Sequence, residues 1–221
     1  MAGQRNRTED WISWGISIFM LLLAVVAWKI MDKSWSSFNH LPVYIYAGVL
    51  IFYLRAEKFA YKGSGLSGRQ FNKWTRHLLL FFWWLLLIVP ALEYILFQRY
   101  NFVVIVAGTM LTIFGTVLRA WGVWTLGEYF SVHIEVKDKH ELIEKGPYKF
   151  IRHPAYAGNI IQAIGIPLIL DAYYSLGISA VLIFLFLYRL KLEEEVLIRE
   201  VNYPPINWQA CNIASVDQLK Y

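Results

Sequence analysis

Residues 156–188 read YAGNIIQAIGIPLILDAYYSLGISAVLIFLFLY, and whether this stretch forms one helix or two decides the fold. One long helix would put its ends on opposite sides of a membrane. Two helices with a turn between them would return the chain to the side it left. Pro167 removes a helical hydrogen-bond donor, Asp171 is costly at mid-membrane depth, and Gly177 loosens a helical restart. The sequence therefore predicts two short helices turning at Asp171-Ala-Tyr-Tyr-Ser175. Each arm is about 15 residues, roughly 23 Å by helical rise, short for a bilayer and in need of local thinning or tilt-free packing.

Working outward, a polar island, His140 to Gly158, precedes this stretch, and a second polar cluster, Arg189-Leu-Lys-Leu-Glu-Glu-Glu195, ends it. Charged groups beside a bilayer are costly unless they meet water, each other or a ligand. A turn at 171–175 brings both clusters to the same side, where they can build one site.

The rest of the chain fits a membrane setting. Of its 221 residues, 57% are hydrophobic and only 17% charged, with a mean hydropathy of +0.42, too apolar for a soluble domain of this size. Trp11, Trp14, Trp28 and Trp35 flank the first apolar run, Trp11 to Met31, as interfacial anchors. No small-residue cleavage pattern follows that run, which is expected to stay as a helix. A second helix starts at Leu41 and reaches spanning length if it continues past Leu54 through Arg55 to Tyr61 with snorkelling charges. His77 to Phe97 and Phe102 to Leu126 are the third and fourth runs, and the short turn Gln98-Arg99-Tyr100-Asn101 predicts that they form an antiparallel hairpin. The expected fold class is all-α, a multi-pass transmembrane bundle of about six spans with a C-terminal short helical hairpin and a cytoplasmic cofactor pocket.

The net charge of +5 and pI near 9.2 do not point to nucleic acid, because the basic residues sit in loops between spans. The loop from Arg55 to Arg76 carries Arg55, Lys58, Lys62, Arg69, Lys73 and Arg76, whereas the turns at 32–41 and 98–101 carry only Lys33 and Arg99. The rich loop is expected to be cytoplasmic, together with 127–155 and the glutamate cluster. Within it, Lys62-Gly-Ser-Gly-Leu-Ser-Gly68 reads as a flexible connector. Cys211 is the single cysteine, so neither an intrachain disulfide nor a thiolate metal cluster is expected.

Candidate chemistry gathers in the two clusters. Gly146-Pro147 marks a turn, and His153-Pro154 predicts a helix beginning at Pro154 with Arg152 and His153 at its entrance. Backbone donors and an arginine fork there suit a carboxylate or phosphate; the same Arg152 could instead anchor to lipid headgroups. Glu193-Glu194-Glu195 could be a solvated helix face, with Arg189 and Glu193 as an i,i+4 pair. Three adjacent glutamates wind around a helix, however, so at least one should face the bundle and could bind hydroxyls or an ammonium group. His133, His140 and His153 lie seven and thirteen residues apart, which matches no compact metal-ligand pattern, so no metal is expected. No G-x-G-x-x-G stands directly at the start of an expected helix, and no Walker loop is present in the sequence.

Leu118-Arg-Ala-Trp-Gly-Val-Trp-Thr-Leu-Gly-Glu-Tyr-Phe130, His140-Glu-Leu-Ile, Gly146-Pro-Tyr, Arg152-His-Pro-Ala-Tyr-Ala-Gly158 and Leu192-Glu-Glu-Glu-Val-Leu197, in that order, resemble the isoprenylcysteine carboxyl methyltransferase family. The resemblance covers the C-terminal half. The N-terminal transmembrane helices over 1–101, expected to face lipid or substrate, carry no such signature, and the resemblance implies a methyltransferase core over 102–221. It also implies S-adenosylmethionine as cofactor, with His133, His140, Tyr148, His153, Tyr156, Gly158, Glu193 and Glu194 as cofactor contacts or their supports and Arg152 near the reacting centre. After the glutamates the family commonly continues as Phe-Gly-x-x-Tyr, whereas this chain reads Val201-Asn-Tyr-Pro-Pro-Ile-Asn-Trp208, a departure where the cofactor pocket should close.

The implied activity is transfer of a methyl group to a lipophilic acceptor entering from the bilayer, a carboxylate such as a prenylcysteine C-terminus or similar. Membrane lipids are the other expected partners. The setting would be a prokaryotic plasma membrane or the endoplasmic reticulum. A carboxylate acceptor needs no strong base, and Arg152 would orient one oxygen; a hydroxyl or amine would need His153 or a glutamate as base. Alternatives are a phospholipid amine, a small thiol or a polyketide-type lipid as acceptor, or a non-catalytic transport or assembly protein. Transport would require polar residues at mid-depth, and these are sparse apart from Glu93, Thr109, Thr112, Thr116 and Gln162.

Overall fold

The computed structural model describes Lys29 and residues 40–60, 69–71, 74–127, 134–136 and 145–201. Helices dominate these residues. In chain order they are α1 (Leu41–Ala60), α2 (Trp74–Phe97), α3 (Phe102–Leu126), a short 3-10 turn (Gly146–Lys149), α4 (Pro154–Leu168) and α5 (Leu176–Val201). Two three-residue strands, β1 (Arg69–Phe71) and β2 (Ile134–Val136), pair antiparallel with Gln70 opposite Glu135. The expected first span lies, apart from Lys29, outside the described residues, as do the connector Lys62 to Gly68 and the tail beyond Val201.

The chain turns back where Pro167 and Asp171 predict it. Helix α4 stops at Leu168, and the turn closes through Leu170 N–H and Ala172 N–H, which both donate to Pro167 O. Asp171 takes a left-handed φ of 54° there, and α5 starts at Leu176. The start of α4 and the acidic segment of α5 consequently lie at one end of the bundle.

Helices α3 and α4 pack with almost no side chain between them, because glycines recur every seventh residue. Gly108, Gly115 and Gly122 on α3 face Leu168–Ile169, Gly158 and Pro154–Ala155 in antiparallel order. A Cβ on Gly115 would sit 2.7 Å from Gly158 O, and one on Gly158 would sit 2.6 Å from Gly115 O. Two backbones this close exclude any larger residue, and a seven-residue repeat keeps the seam facing its partner. Helix α1 packs on α3, and α5 packs on α2 and α4. The main apolar core joins Val43, Tyr46 and Val49 of α1 to Leu86 of α2, Ala163 and Ile166 of α4, and Leu182 and Phe186 of α5.

The tight turn after α2 leads directly into α3, whose N-terminus is capped by Asn101 accepting from Val103 N–H (3.1 Å) and Val104 N–H (3.4 Å). The expected close hairpin of α2 with α3 does not form, because the glycine seam of α3 is taken by α4 and α2 packs on α5 and α4 instead.

At this turn end, Glu93 accepts from Tyr174 N–H (3.0 Å), Ser175 N–H (2.9 Å), Ser175 Oγ (2.7 Å) and Arg99 (3.2 Å), so the buried carboxylate pins the α4–α5 turn to α2. Arg99 also lies over the rings of Phe97, Tyr173 and Tyr174.

Helices α2 and α3 are long and apolar enough to cross a membrane. Their outward faces carry exposed Leu96, Met110, Phe114 and Val117, a surface suited to lipid.

Candidate active site

The 3-10 turn and the entrance of α4 build one wall of the site. Gly146 takes φ 59° with its Cα packed against Trp121 and Thr125 of α3, a conformation and a closeness that favour glycine. The 3-10 turn that carries Tyr148 packs against α3. His153, extended at φ −127°, precedes Pro154 at the first helical position as the sequence predicts.

The opposite wall is α5. His153 Nε2 donates to Glu194 Oε1 at 2.5 Å, and Arg152 Nε lies 3.6 Å from the same oxygen. One turn deeper, Tyr156 OH donates to Glu193 Oε2 at 2.7 Å and accepts from Arg189 Nε at 3.1 Å. Arg189 extends the chain to α2 by donating to Thr75 Oγ1 at 3.1 Å. The acidic segment is therefore not a solvated face: Glu194 and Arg189 are both only 6% exposed. Arg189, expected as a surface i,i+4 partner of Glu193, works instead through the Tyr156 hydroxyl and Thr75.

The third wall joins α1 to α3. Arg119 meets Glu57 side-on, with Nε to Oε1 at 2.5 Å and a second guanidinium nitrogen to Oε2 at 3.2 Å. Such two-point pairing is the strong form of an arginine–carboxylate contact. Burial, reinforced by the negative charge of Glu193 and opposed by Arg119, pushes the Tyr148 phenol well above its ordinary value, so Tyr148 is a neutral donor at physiological pH.

The structure thus brings together Tyr148, Arg152, His153, Tyr156, Glu193 and Glu194. Gly158 lies on the same helix, and its missing side chain is required by the α3–α4 seam, where a Cβ would strike Gly115 O and Arg119. His133 and His140 lie outside the described residues. Sequence reasoning missed Glu57, Arg119 and Thr75. Arg119 carried a signal: an arginine seven residues from the end of an otherwise apolar helix demands an acid, and Glu57 is the acid near the end of α1.

The arrangement offers carboxylates, phenols, an imidazole and a guanidinium at one end of an apolar bundle, a set that can hold a small zwitterionic ligand beside a lipid-facing surface. Residues 106–199, which supply two of these walls, match the isoprenylcysteine carboxyl methyltransferase (ICMT) family. The chain is 32% identical to the protein-S-isoprenylcysteine O-methyltransferase of Saccharomyces cerevisiae over 166 residues, covering 74% of this chain and 68% of the yeast protein. It is 40% identical over 70 residues to a probable protein-S-isoprenylcysteine O-methyltransferase of Oryza sativa, covering 31% of this chain and 36% of that protein. It is 37% identical over 65 residues to YpbQ of Bacillus subtilis, covering 29% and 39% of the two chains. The chain therefore aligns with less than two fifths of the rice and Bacillus relatives. The family motifs, the extended yeast match and the meeting of the Arg152 turn with the glutamates agree that this chain belongs to the isoprenylcysteine carboxyl methyltransferase family.

Proposed function

We propose that this protein is an integral-membrane methyltransferase that moves a methyl group from S-adenosylmethionine to a lipophilic carboxylate, the C-terminal carboxylate of a prenylcysteine being the acceptor suggested by its relatives' names. The observation that carries this reading is the contact of Arg152 and His153 with Glu194, and of Tyr156 with Glu193, in a chain of this family.

The residues fit the donor chemically. Glu193 is held by Tyr156 through Oε2, and among the described residues its Oε1 takes no hydrogen bond, so a carboxylate oxygen remains for ribose hydroxyls. Tyr148 and Tyr156 supply aromatic faces for a sulfonium. Arg152 and the entrance of α4 suit a carboxylate. His133 and His140 complete the proposed set, with Gly158 as a support.

The donor, when bound, supplies an electrophilic methyl: a bond forms from an acceptor oxygen to carbon as the carbon–sulfur bond breaks, leaving a neutral thioether. The chain's own tasks are alignment and exclusion of water, and positioning of this kind is worth about 7 kcal/mol or more. Arg152 orients one acceptor oxygen and leaves the other to attack. Glu194, gripping both Arg152 and His153, fixes that orientation. No general base is required, since the acceptor carboxylate is already ionised.

We read the fold as about six spans, with Trp11 to Met31 as the first and α4 and α5 as a short final pair. The site then faces the cytoplasm, an assignment supported by the basic residues between Arg55 and Arg76. The membrane is a prokaryotic plasma membrane or the endoplasmic reticulum. Lipids and a prenylated or otherwise lipophilic acceptor are the partners.

The test is transfer of isotopically labelled methyl from S-adenosylmethionine to an S-prenylated cysteine derivative by purified protein. Alkali should release the label as methanol, the mark of a methyl ester. Arg152→Ala should abolish transfer while donor binding partly survives; full activity in that variant would remove Arg152 from the reacting centre, and alkali-stable product would exclude a carboxylate acceptor.

A further inference from the structure

Arg189 is buried, a costly place for a guanidinium unless its donors are met. Its Nε donates to Tyr156 OH at 3.1 Å and its Nη1 to Thr75 Oγ1 at 3.1 Å. Thr75 lies in the first turn of α2, outside the segment that matches the family. Beside it, the Trp74 ring meets that of Tyr188 with 6.3 Å between centroids, so the start of α2 is seated on α5. The Tyr156 ring is held by edge-on contacts with Phe186 (6.1 Å, 77°) and His153 (6.0 Å, 74°). With the ring fixed, rotation of its O–H bond is the freedom that remains to this side chain.

A phenol can both donate and accept, whereas a guanidinium only donates. Arg189 Nε–H therefore occupies a lone pair of the Tyr156 oxygen, and the single phenol proton must point elsewhere, to Glu193 Oε2 at 2.7 Å. The hydrogen bonds run one way, from Arg189 to Tyr156 to Glu193. We propose that Arg189 is a positioning residue for the donor site: by setting the direction of the Tyr156 hydroxyl it holds Glu193 through Oε2 and leaves Oε1 for the methyl donor's hydroxyls. Thr75 keeps the guanidinium in place, which makes the start of α2 part of the working site. The inference rests on the donor reading above.

Two plainer roles compete: a tie between α2 and α5, and an i,i+4 attraction between Arg189 and Glu193 that bypasses Tyr156. Both predict that loss of Arg189 acts alike whether or not Tyr156 keeps its hydroxyl. The measurement is calorimetric titration of S-adenosylhomocysteine into the full-length protein in detergent, arranged as a double-mutant cycle. Arg189→Met should weaken binding about fivefold, the worth of one hydrogen bond. Added to Tyr156→Phe, the same change should cost less than about twofold further, because the hydroxyl it directs is already gone. Unchanged affinity in Arg189→Met, or a loss as large in the Tyr156→Phe background, overturns the proposal. If Arg189→Met does not fold, Thr75→Val takes its place in the cycle, with a loss of about threefold expected when the hydroxyl is present and none when it is absent. Equal losses in the two backgrounds, or no loss in either, overturn the proposal there too. Absence of binding by the unsubstituted protein would refute the donor reading itself, a result distinct from failure of the cycle.

Discussion

Replacing Gly158 by alanine tests whether the site depends on the bare contact between α3 and α4. The new methyl would lie 2.6 Å from Gly115 O, 2.7 Å from Arg119 Cβ and 2.8 Å from Arg119 N, all below the 3.0 Å that Cβ contacts respect. None of these atoms can swing away, since each is part of the α3 backbone or fixed to it, so the helices must separate by a few tenths of an ångström. Overpacking of this type costs about 1–3 kcal/mol, against which alanine returns about 0.5–1 kcal/mol in backbone entropy. The expected net loss is about 1–2 kcal/mol, a fall in melting temperature of about 2–8 °C for a chain of this size. His153 and Tyr156 ride on the displaced helix, so affinity for S-adenosylhomocysteine should fall in the same variant. Thermal unfolding in detergent, with and without that ligand, reads both effects. Gly48→Ala is the control, because nothing lies within 4 Å of a Cβ there and the change should be neutral or slightly stabilising. If Gly158→Ala melts and binds like Gly48→Ala, the close-contact reasoning is wrong.

Tyr156→Phe removes the hydroxyl that donates to Glu193 and receives Arg189, and should weaken S-adenosylhomocysteine binding about tenfold in calorimetry while the fold survives. Glu93→Gln leaves Arg99 without its carboxylate and weakens the anchors on Tyr174 and Ser175; it should cost about 1–3 kcal/mol in thermal stability with ligand affinity unchanged, because it acts at the far end of the bundle. The Tyr148 phenol has a raised value in the folded state, so its contribution to stability is complete below the ordinary tyrosine value of about 10 and is lost as pH rises beyond it. Melting temperature should accordingly decline less steeply above about pH 10 in Tyr148→Phe than in the unsubstituted protein.

Much of the fold was legible because membranes impose simple rules. The run Phe102 to Leu126 coincides with α3, the extension of the second run past Arg55 appears in α1, and the chain reverses where Pro167 and Asp171 predict. The packing partners were not legible from the turn after α2: a short connection says that two helices are consecutive, whereas the glycines of α3 decide which helix it embraces. Those glycines recur at positions 108, 115 and 122, and Gly158 and Gly165 of α4 repeat the same seven-residue spacing, a pattern visible in the sequence itself. The meeting of Arg152 and His153 with Glu194 follows from the hairpin and the polar clusters. Arg189 was misread because a helical i,i+4 rule sees only neighbours on its own helix, while the side chain reaches Tyr156 and Thr75 on two others. Glu57 was hidden among the basic residues of its segment and surfaces only as the partner that Arg119 requires.

The central claim is that the Arg152 turn and the glutamates of α5 jointly hold one methyl donor. Calorimetric titration of S-adenosylhomocysteine into the unsubstituted protein and into Glu193→Gln combined with Glu194→Gln tests it most directly. Saturable binding by the first and a loss of about a hundredfold or more in the second are expected, since two charge-assisted contacts are removed. No saturable heat at millimolar ligand, or equal affinity in the two proteins, would contradict it.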